Sequence, residues 1–245
     1  MRNLIRSVSG IFMVLAIAST YGCYHPCTMK VHQLGTLDSK DYDRLQAAAS
    51  QSPPKVGSNI DNCVPHVVYY VADDYDFSRV RSIHIPDFRS LDEKADGRVT
   101  RNTADDLASL LLQKGLFDRV ERHRPAGADM VLDATVIKYQ EITGGQTAKA
   151  MLTGMPYCGL CGMEVKLTDS KTGTKVGAIQ VNHVTVRAGG FLTWAGSRRP
   201  ETQIPELLST IFEKIRSGQT AGTNGKWSDC TRVDNGKRLL DLMCN

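Results

Sequence analysis

The sequence predicts an α+β fold: a two-layer sandwich in which two helices cover one face of a mixed or mostly antiparallel sheet. Three observations carry this. Two stretches place apolar residues at helical spacing, Ala104-Leu107-Ala108-Leu111 and Ile204-Leu207-Leu208-Ile211-Phe212-Ile215. Between them, Met163, Val165 and Leu167 alternate with Glu164, Lys166 and Thr168, the period of a strand with one buried and one wet face. The order of elements, β-β-α-β-β-β-β-α, leaves both helices free to pack on the same side of one sheet.

The elements follow in chain order. Val67 to Val71 is a run of β-branched and aromatic residues and predicts a strand. Val80 to Ile85 predicts a second, which Pro86 ends, with His84 turned away from the buried side of Ile83 and Ile85. The first helix is expected to start at Thr103 as its cap and to stop at Gly115, where a left-handed residue is wanted. Phe117 to Val120 is a short extended segment, and Ala128 to Tyr139 a long, near-central strand. Asp169-Ser170-Lys171-Thr172-Gly173 is a hairpin turn, and the chain returns as Val176 to Val186. The second helix spans about 203–217, with Pro205 tolerated in its first turn and Gly218 at its end. The α+β domain is thus placed at 66–218. Before it, 23–65 is an arm punctuated by Pro26, Pro53, Pro54 and Pro65; a short helix over 39–49 offers Leu45 as its only large aliphatic side chain. After it, 219–245 is a tail bearing Trp227, Cys230 and Cys244.

The amino terminus carries an export signal. Arg2 and Arg6 form a basic start, Ile11 to Ala18 is an uninterrupted apolar run, and Ser19-Thr20-Tyr21-Gly22 leads to Cys23. Thr20-Tyr21-Gly22-Cys23 resembles the bacterial lipobox, departing from it at Thr20 and Tyr21 and matching at Gly22 and Cys23. The resemblance implies cleavage after residue 22 and acylation of the Cys23 sulfur. Cleavage at Ala16-x-Ala18 by an ordinary signal peptidase is the alternative, giving a soluble periplasmic or secreted protein. The apolar run is shorter than the roughly 20 residues a bilayer span needs. Two or three acyl chains would hold the protein stably, whereas one chain binds only marginally. Tyr24 is not the aspartate associated with inner-membrane retention, so the anchored protein is expected on the periplasmic side of the outer membrane.

Removal of residues 1–22 leaves 223 residues, with 28 basic and 26 acidic side chains and a formal charge of +2. With no basic stripe, this gives no case for a nucleic-acid partner, and none is expected. Acylation of Cys23 leaves six of the seven cysteines: Cys27, Cys63, Cys158, Cys161, Cys230 and Cys244. An even number in an exported chain suggests disulfides. Pairing of neighbours, Cys27 with Cys63, Cys158 with Cys161 and Cys230 with Cys244, is the preferred scheme among the many that six allow. Cys158-Gly159-Leu160-Cys161 has thiol-redox spacing, but a redox thiolate needs a helix amino terminus beside it, and here a strand follows. A structural role is favoured, with a thiol-disulfide oxidoreductase using Cys158 and Cys161 as an alternative. Zinc wants a second closely spaced ligand pair, which the chain lacks.

No metal or cofactor is expected, and no catalytic constellation is found. His25, His32, His66, His84, His123 and His183 form no i, i+4 pair or H-E-x-x-H frame. Neither a G-x-S-x-G elbow, a P-loop nor a dinucleotide fingerprint is present. Asp129 and Asp133 are assigned strand-end and turn roles. The candidate contact surface is Arg187 to Pro200, where Phe191, Leu192 and Trp194 sit between glycines and are followed by Arg198 and Arg199. Aromatics and arginine are what interface hot spots favour; folding back of the same side chains to cap the sheet is the alternative.

Four segments together resemble a family of uncharacterised bacterial lipoproteins: Ile83-His84-Ile85-Pro86-Asp87-Phe88, Leu110 to Phe117, Ala128 to Val136, and Val165 to Gly173. These belong to domain-of-unknown-function families whose fold is similar to the periplasmic domain of the curli secretion lipoprotein and the amino-terminal domain of TolB. The likeness covers roughly residues 80–217. It implies an envelope fold used for assembly or partner contact, not a reaction. Where family members have a Gly/Ala-rich stretch, this chain has Gly154 to Gly162 with its two cysteines. The expected function is a lipid-anchored binding or assembly module touching a membrane and an envelope protein; an auxiliary lipoprotein of an envelope transporter is the alternative.

Overall fold

The computed structural model describes residues 28–29, 33, 35–51, 62–123, 127–142, 157–187 and 199–229. Nine strands form one mixed sheet: β1 (Thr28–Met29), β2 (Asn62–Val71), β3 (Ser82–His84), β4 (Arg89–Ser90), β5 (Arg119–Glu121), β6 (Met130–Gln140), β7 (Tyr157–Asp169), β8 (Lys175–Arg187) and β9 (Ala221–Asp229). The path is β1-β2-β8-β7-β6-β3-β5, with β4 added to β6 and β9 to β2. Among the described residues, three α-helices accompany it: α1 (Ser39–Ser50), α2 (Gly97–Gln113) and α3 (Ile204–Arg216). The fold is an α+β sandwich, as the element order predicts.

Alternation decides which side chains meet. On one face, Val67, Tyr69 and Val71 of β2, Leu132, Ala134 and Val136 of β6, Met163, Val165 and Leu167 of β7, and Ile179 and Val181 of β8 join the apolar stripes of α2 and α3 in the main core. Phe77, Phe117 and Phe212 close it, with the Phe117 and Phe212 rings edge to face at 5.4 Å between centroids. Where α2 crosses over, β3 runs parallel to both β5 and β6, and a parallel neighbour needs a crossover of this kind. Asp129 clamps that junction. Its Oδ2 accepts from the backbone N–H groups of Arg81 and Ser82, both at 3.0 Å, and from the Ser82 hydroxyl at 2.9 Å.

Three local expectations are corrected. Helix α2 begins at Gly97, capped by Asp96, whose Oδ1 accepts from the N–H groups of Arg98 and Val99. Thr103 is not the cap: it is buried mid-helix and its hydroxyl donates to the Val99 carbonyl. Val99 and Thr100 extend the packed face upstream past the run of polar residues that hides the pattern. The first half of the tail forms strand β9, which pairs antiparallel with β2 from Cys63↔Asp229 to Tyr70↔Ala221; pairing on an existing edge orders a polar segment that has little to bury of its own. Finally, α1 is no loose element of an arm. Leu45, Ala48 and Ala49 are buried with Tyr42 against Val68, Tyr70 and Ala178, on the face of the sheet opposite α2 and α3. Small alanines let the helix approach closely, so one leucine suffices. His84 follows expectation: it is half-buried between the fully enclosed Ile83 and Ile85, its Nδ1 3.1 Å from the Glu121 carbonyl. Among the described residues, no helix is long and apolar enough to cross a membrane.

Candidate binding cleft

Helix α1 is fixed to the sheet by buried polar contacts. Asp38 and Asp41 form a capping box at its start. Asp41, almost fully enclosed, accepts a short hydrogen bond from the Tyr70 hydroxyl and pairs with Lys175 at 2.6 Å, which also reaches Asp38 at 2.5 Å. The Lys175 ammonium holds the Asp38 carboxyl below the usual carboxylate range. Burial, then the neighbouring Asp41, pushes the Tyr70 hydroxyl pKa up. One turn on, Tyr42 donates to Glu164 Oε1 at 2.7 Å and accepts from the Gly35 N–H at 2.8 Å; burial raises its pKa to about 12. Glu164 lies 1 % exposed in the middle of β7. Its Oε2 accepts from Thr36 N, the Thr36 hydroxyl and Leu37 N, and Gln180 Nε2 stands 3.3 Å from Oε1. A buried carboxyl with this many donors is a satisfied anchor for the segment that precedes α1.

Docked in this way, the carboxyl-terminal half of α1 faces the end of β2, and a cleft of about 590 Å³ lies between them. Its wall is Arg44, Ala47, Ala48 and Gln51 from α1; its floor is Tyr70, Val71 and Ala72; and Asp73, Asp74, Gln219 and Thr220 close the rim. The Arg44 guanidinium stacks 5.2 Å above the centre of the Tyr70 ring. Thr220 donates to Asp73 at 3.1 Å, tying the start of β9 to the turn after β2. Gly177 is needed beneath this floor, because a Cβ there would stand 2.6 Å from the Tyr70 carbonyl oxygen. The cleft presents one cation and two exposed carboxyls on a rigid helix-and-strand frame. Such an arrangement can pair with charged groups of either sign.

A second group of buried functional side chains occupies the main core. Tyr139, Cys161 and His183 are register partners across β6, β7 and β8, and the Tyr139 hydroxyl donates to buried Glu201 at 2.7 Å. Burial lowers the His183 pKa to about 4 and raises that of the Cys161 thiol. A thiol so enclosed is the reverse of a redox thiolate. Cys161 is free. The side chain of Cys158 lies outside the described residues, and with it the expected pairing of Cys158 with Cys161.

Of the other residues singled out in the sequence, Cys63 sits on β2 in register with Met29 and Asp229. Arg199 is exposed, with its guanidinium 3.5 Å from Glu141. Cys23, Cys27, Phe191, Leu192, Trp194, Arg198, Cys230 and Cys244 lie outside the described residues. The cleft was not foreseen. Its residues carry no motif, and the only early signal was the helix over 39–49. Among the described residues, no group of three or more His, Cys, Asp or Glu side chains is placed to hold a metal.

No protein-family model matches the chain, and no curated protein matches it. Solved structures to which it is similar include PelC from Paraburkholderia phytofirmans, solved as a dodecamer, at 18 % identity and TM-score 0.39, covering 58 % of this chain and 96 % of that one. A lipoprotein from Neisseria meningitidis matches at 17 % identity and TM-score 0.33, over 56 % of this chain and 98 % of that one. A Xanthomonas campestris protein of a DUF330 family matches at 8 % identity and TM-score 0.38, over 62 % and 90 %. Lipoproteins and a family of unknown function are thus among its structural neighbours, at a similarity too low to transfer any residue role. The likeness to curli-secretion and TolB domains remains with the sequence motifs that suggested it.

Proposed function

We propose that this protein is a non-enzymatic, lipid-anchored module of the bacterial cell envelope, tethered through Cys23 on the periplasmic side of the outer membrane, that binds a partner protein in the α1–β2 cleft. The observation that carries the binding role is the cleft itself: about 590 Å³, framed by a docked helix and a central strand, with Arg44, Asp73 and Asp74 presented outward. A helix fixed by the Tyr42–Glu164, Asp41–Tyr70 and Asp41–Lys175 contacts is a fixed wall, so little ordering cost would attend binding. Asp73 and Asp74 on the rim suit a basic ridge on the partner, and the Arg44–Tyr70 stack a carboxylate or aromatic group. The export signal and Cys23 support the location.

The test is photo-crosslinking in the native envelope from positions 44 and 74, with mass spectrometry of the products. A discrete partner captured from both positions, with capture from position 44 lost on Asp73→Lys with Asp74→Lys, is the expected result. Failure to capture any species, in protein shown to be folded and membrane-associated, refutes the cleft as the binding site. Labelled palmitate entering the wild type but not Cys23→Ala tests the anchor separately.

A further inference from the structure

The position of β1 bears on how the domain stands relative to a bilayer, an inference that rests on the Cys23 anchor proposed above. Only residues 24–27 separate Cys23 from Thr28. Even fully extended, the five steps from Cys23 to Thr28 reach at most about 18 Å. Thr28 and Met29 pair in parallel with Asn62 and Cys63 at the start of β2. The anchor therefore reaches one particular end of the sheet.

The register identifies what else is there. Val67 of β2 pairs with Val181 of β8, so lower numbers on β2 correspond to higher numbers on β8, and the Asn62 end of β2 is the Arg187 end of β8. Arg187 pairs with Tyr157, the first residue of β7. Gln140, last in β6, pairs with Leu160 close by, and Glu141 beyond it approaches the guanidinium groups of Arg98 and Arg199. The last register pair of β9, Asp229 with Cys63, is also at this end. At the other end lie the β7–β8 turn and the binding cleft. Val71 pairs with Gly177 there, Tyr70 with Ala221, and Lys171 stands in the turn beside Asp129. The nine steps of β2 from Asn62 to Val71 separate the two ends by about 30 Å.

We propose that the β1 end of the sheet faces the bilayer, and that the Arg44–Asp73–Asp74 cleft is held at the opposite end, about 30 Å further out, open to the aqueous space. A partner would then meet the cleft without displacing lipid.

Full-length acylated protein in phosphatidylethanolamine–phosphatidylglycerol vesicles tests this. A fluorophore is placed through a non-natural residue at position 98 or 171, and energy transfer to a headgroup-labelled lipid is measured, with the acyl mass on Cys23 read from the same preparation. The expected result is several-fold greater transfer from position 98 than from 171. A flexible insert of about 20 residues between Tyr24 and His25 should shrink that difference. Equal or greater transfer from position 171 in acylated protein overturns the orientation and leaves the anchor standing. No acyl mass, with no vesicle association, overturns both.

Discussion

Glu164→Gln tests whether α1 is held by one buried carboxyl. The substitution keeps the shape of the side chain and turns one oxygen into an NH₂ group. Oε1 faces the Tyr42 hydroxyl and Gln180 Nε2; Oε2 faces Thr36 N, the Thr36 hydroxyl and Leu37 N. Whichever way the amide turns, at least two donors meet a donor. At about 1.5 kcal/mol for each hydrogen bond lost to a carboxylate, the cost is about 3 kcal/mol. For a chain of this size that is a fall of about 9 °C in Tm. The loss should concentrate in α1, since the main core on the other face of the sheet keeps its contacts. Circular dichroism melts give the first number, and amide hydrogen exchange over residues 39–50 gives the second. A variant that melts within about 2 °C of the wild type and keeps α1 protection would show that the carboxyl is not what holds the helix.

Three further outcomes are expected. Gly177→Ala should destabilise by about 1–3 kcal/mol in denaturant unfolding, because its Cβ must displace the Tyr70 carbonyl. At a site without that collision the same change would stabilise, so the sign alone decides. For His183, a folded pKa of about 4 against 6.5 unfolded means that the unfolded chain binds the extra proton across that interval. Stability should therefore fall as pH drops from 6.5 toward 4, and pH-dependent melts of His183→Asn should show a shallower slope there. The free, enclosed Cys161 thiol should resist alkylation in the native protein and react on unfolding; peptide mapping of Cys161 after iodoacetamide treatment checks this.

Much of the architecture is legible because it is written in local period. The alternation from Met163 to Leu167, the stripe from Ile204 to Ile215, and glycines at 115, 173 and 218, all with positive φ, mark elements that form as expected. The start of α2 escapes such reading because its first turns are filled by polar residues between Val99 and Ala104, and a buried threonine looks like a cap. Strand β9 escapes because its partner, β2, is more than 150 residues away in sequence. The cleft escapes for the same reason on a smaller scale. Arg44 and Tyr70 are on separate elements, and nothing in either segment announces the other.

By itself the sequence determined the α+β class and the sites of most turns, since each depends on the chemistry of residues within one element's length. Only the tertiary structure decided that α1 packs against the second face of the sheet, that Glu164 is a buried anchor instead of a wet strand residue, and that Cys161 is enclosed. Those properties come from contacts between separate elements, some of them more than a hundred residues apart, such as Thr36 and Tyr42 with Glu164. Local periodicity says which face of a strand is apolar; it does not say what will cover the other.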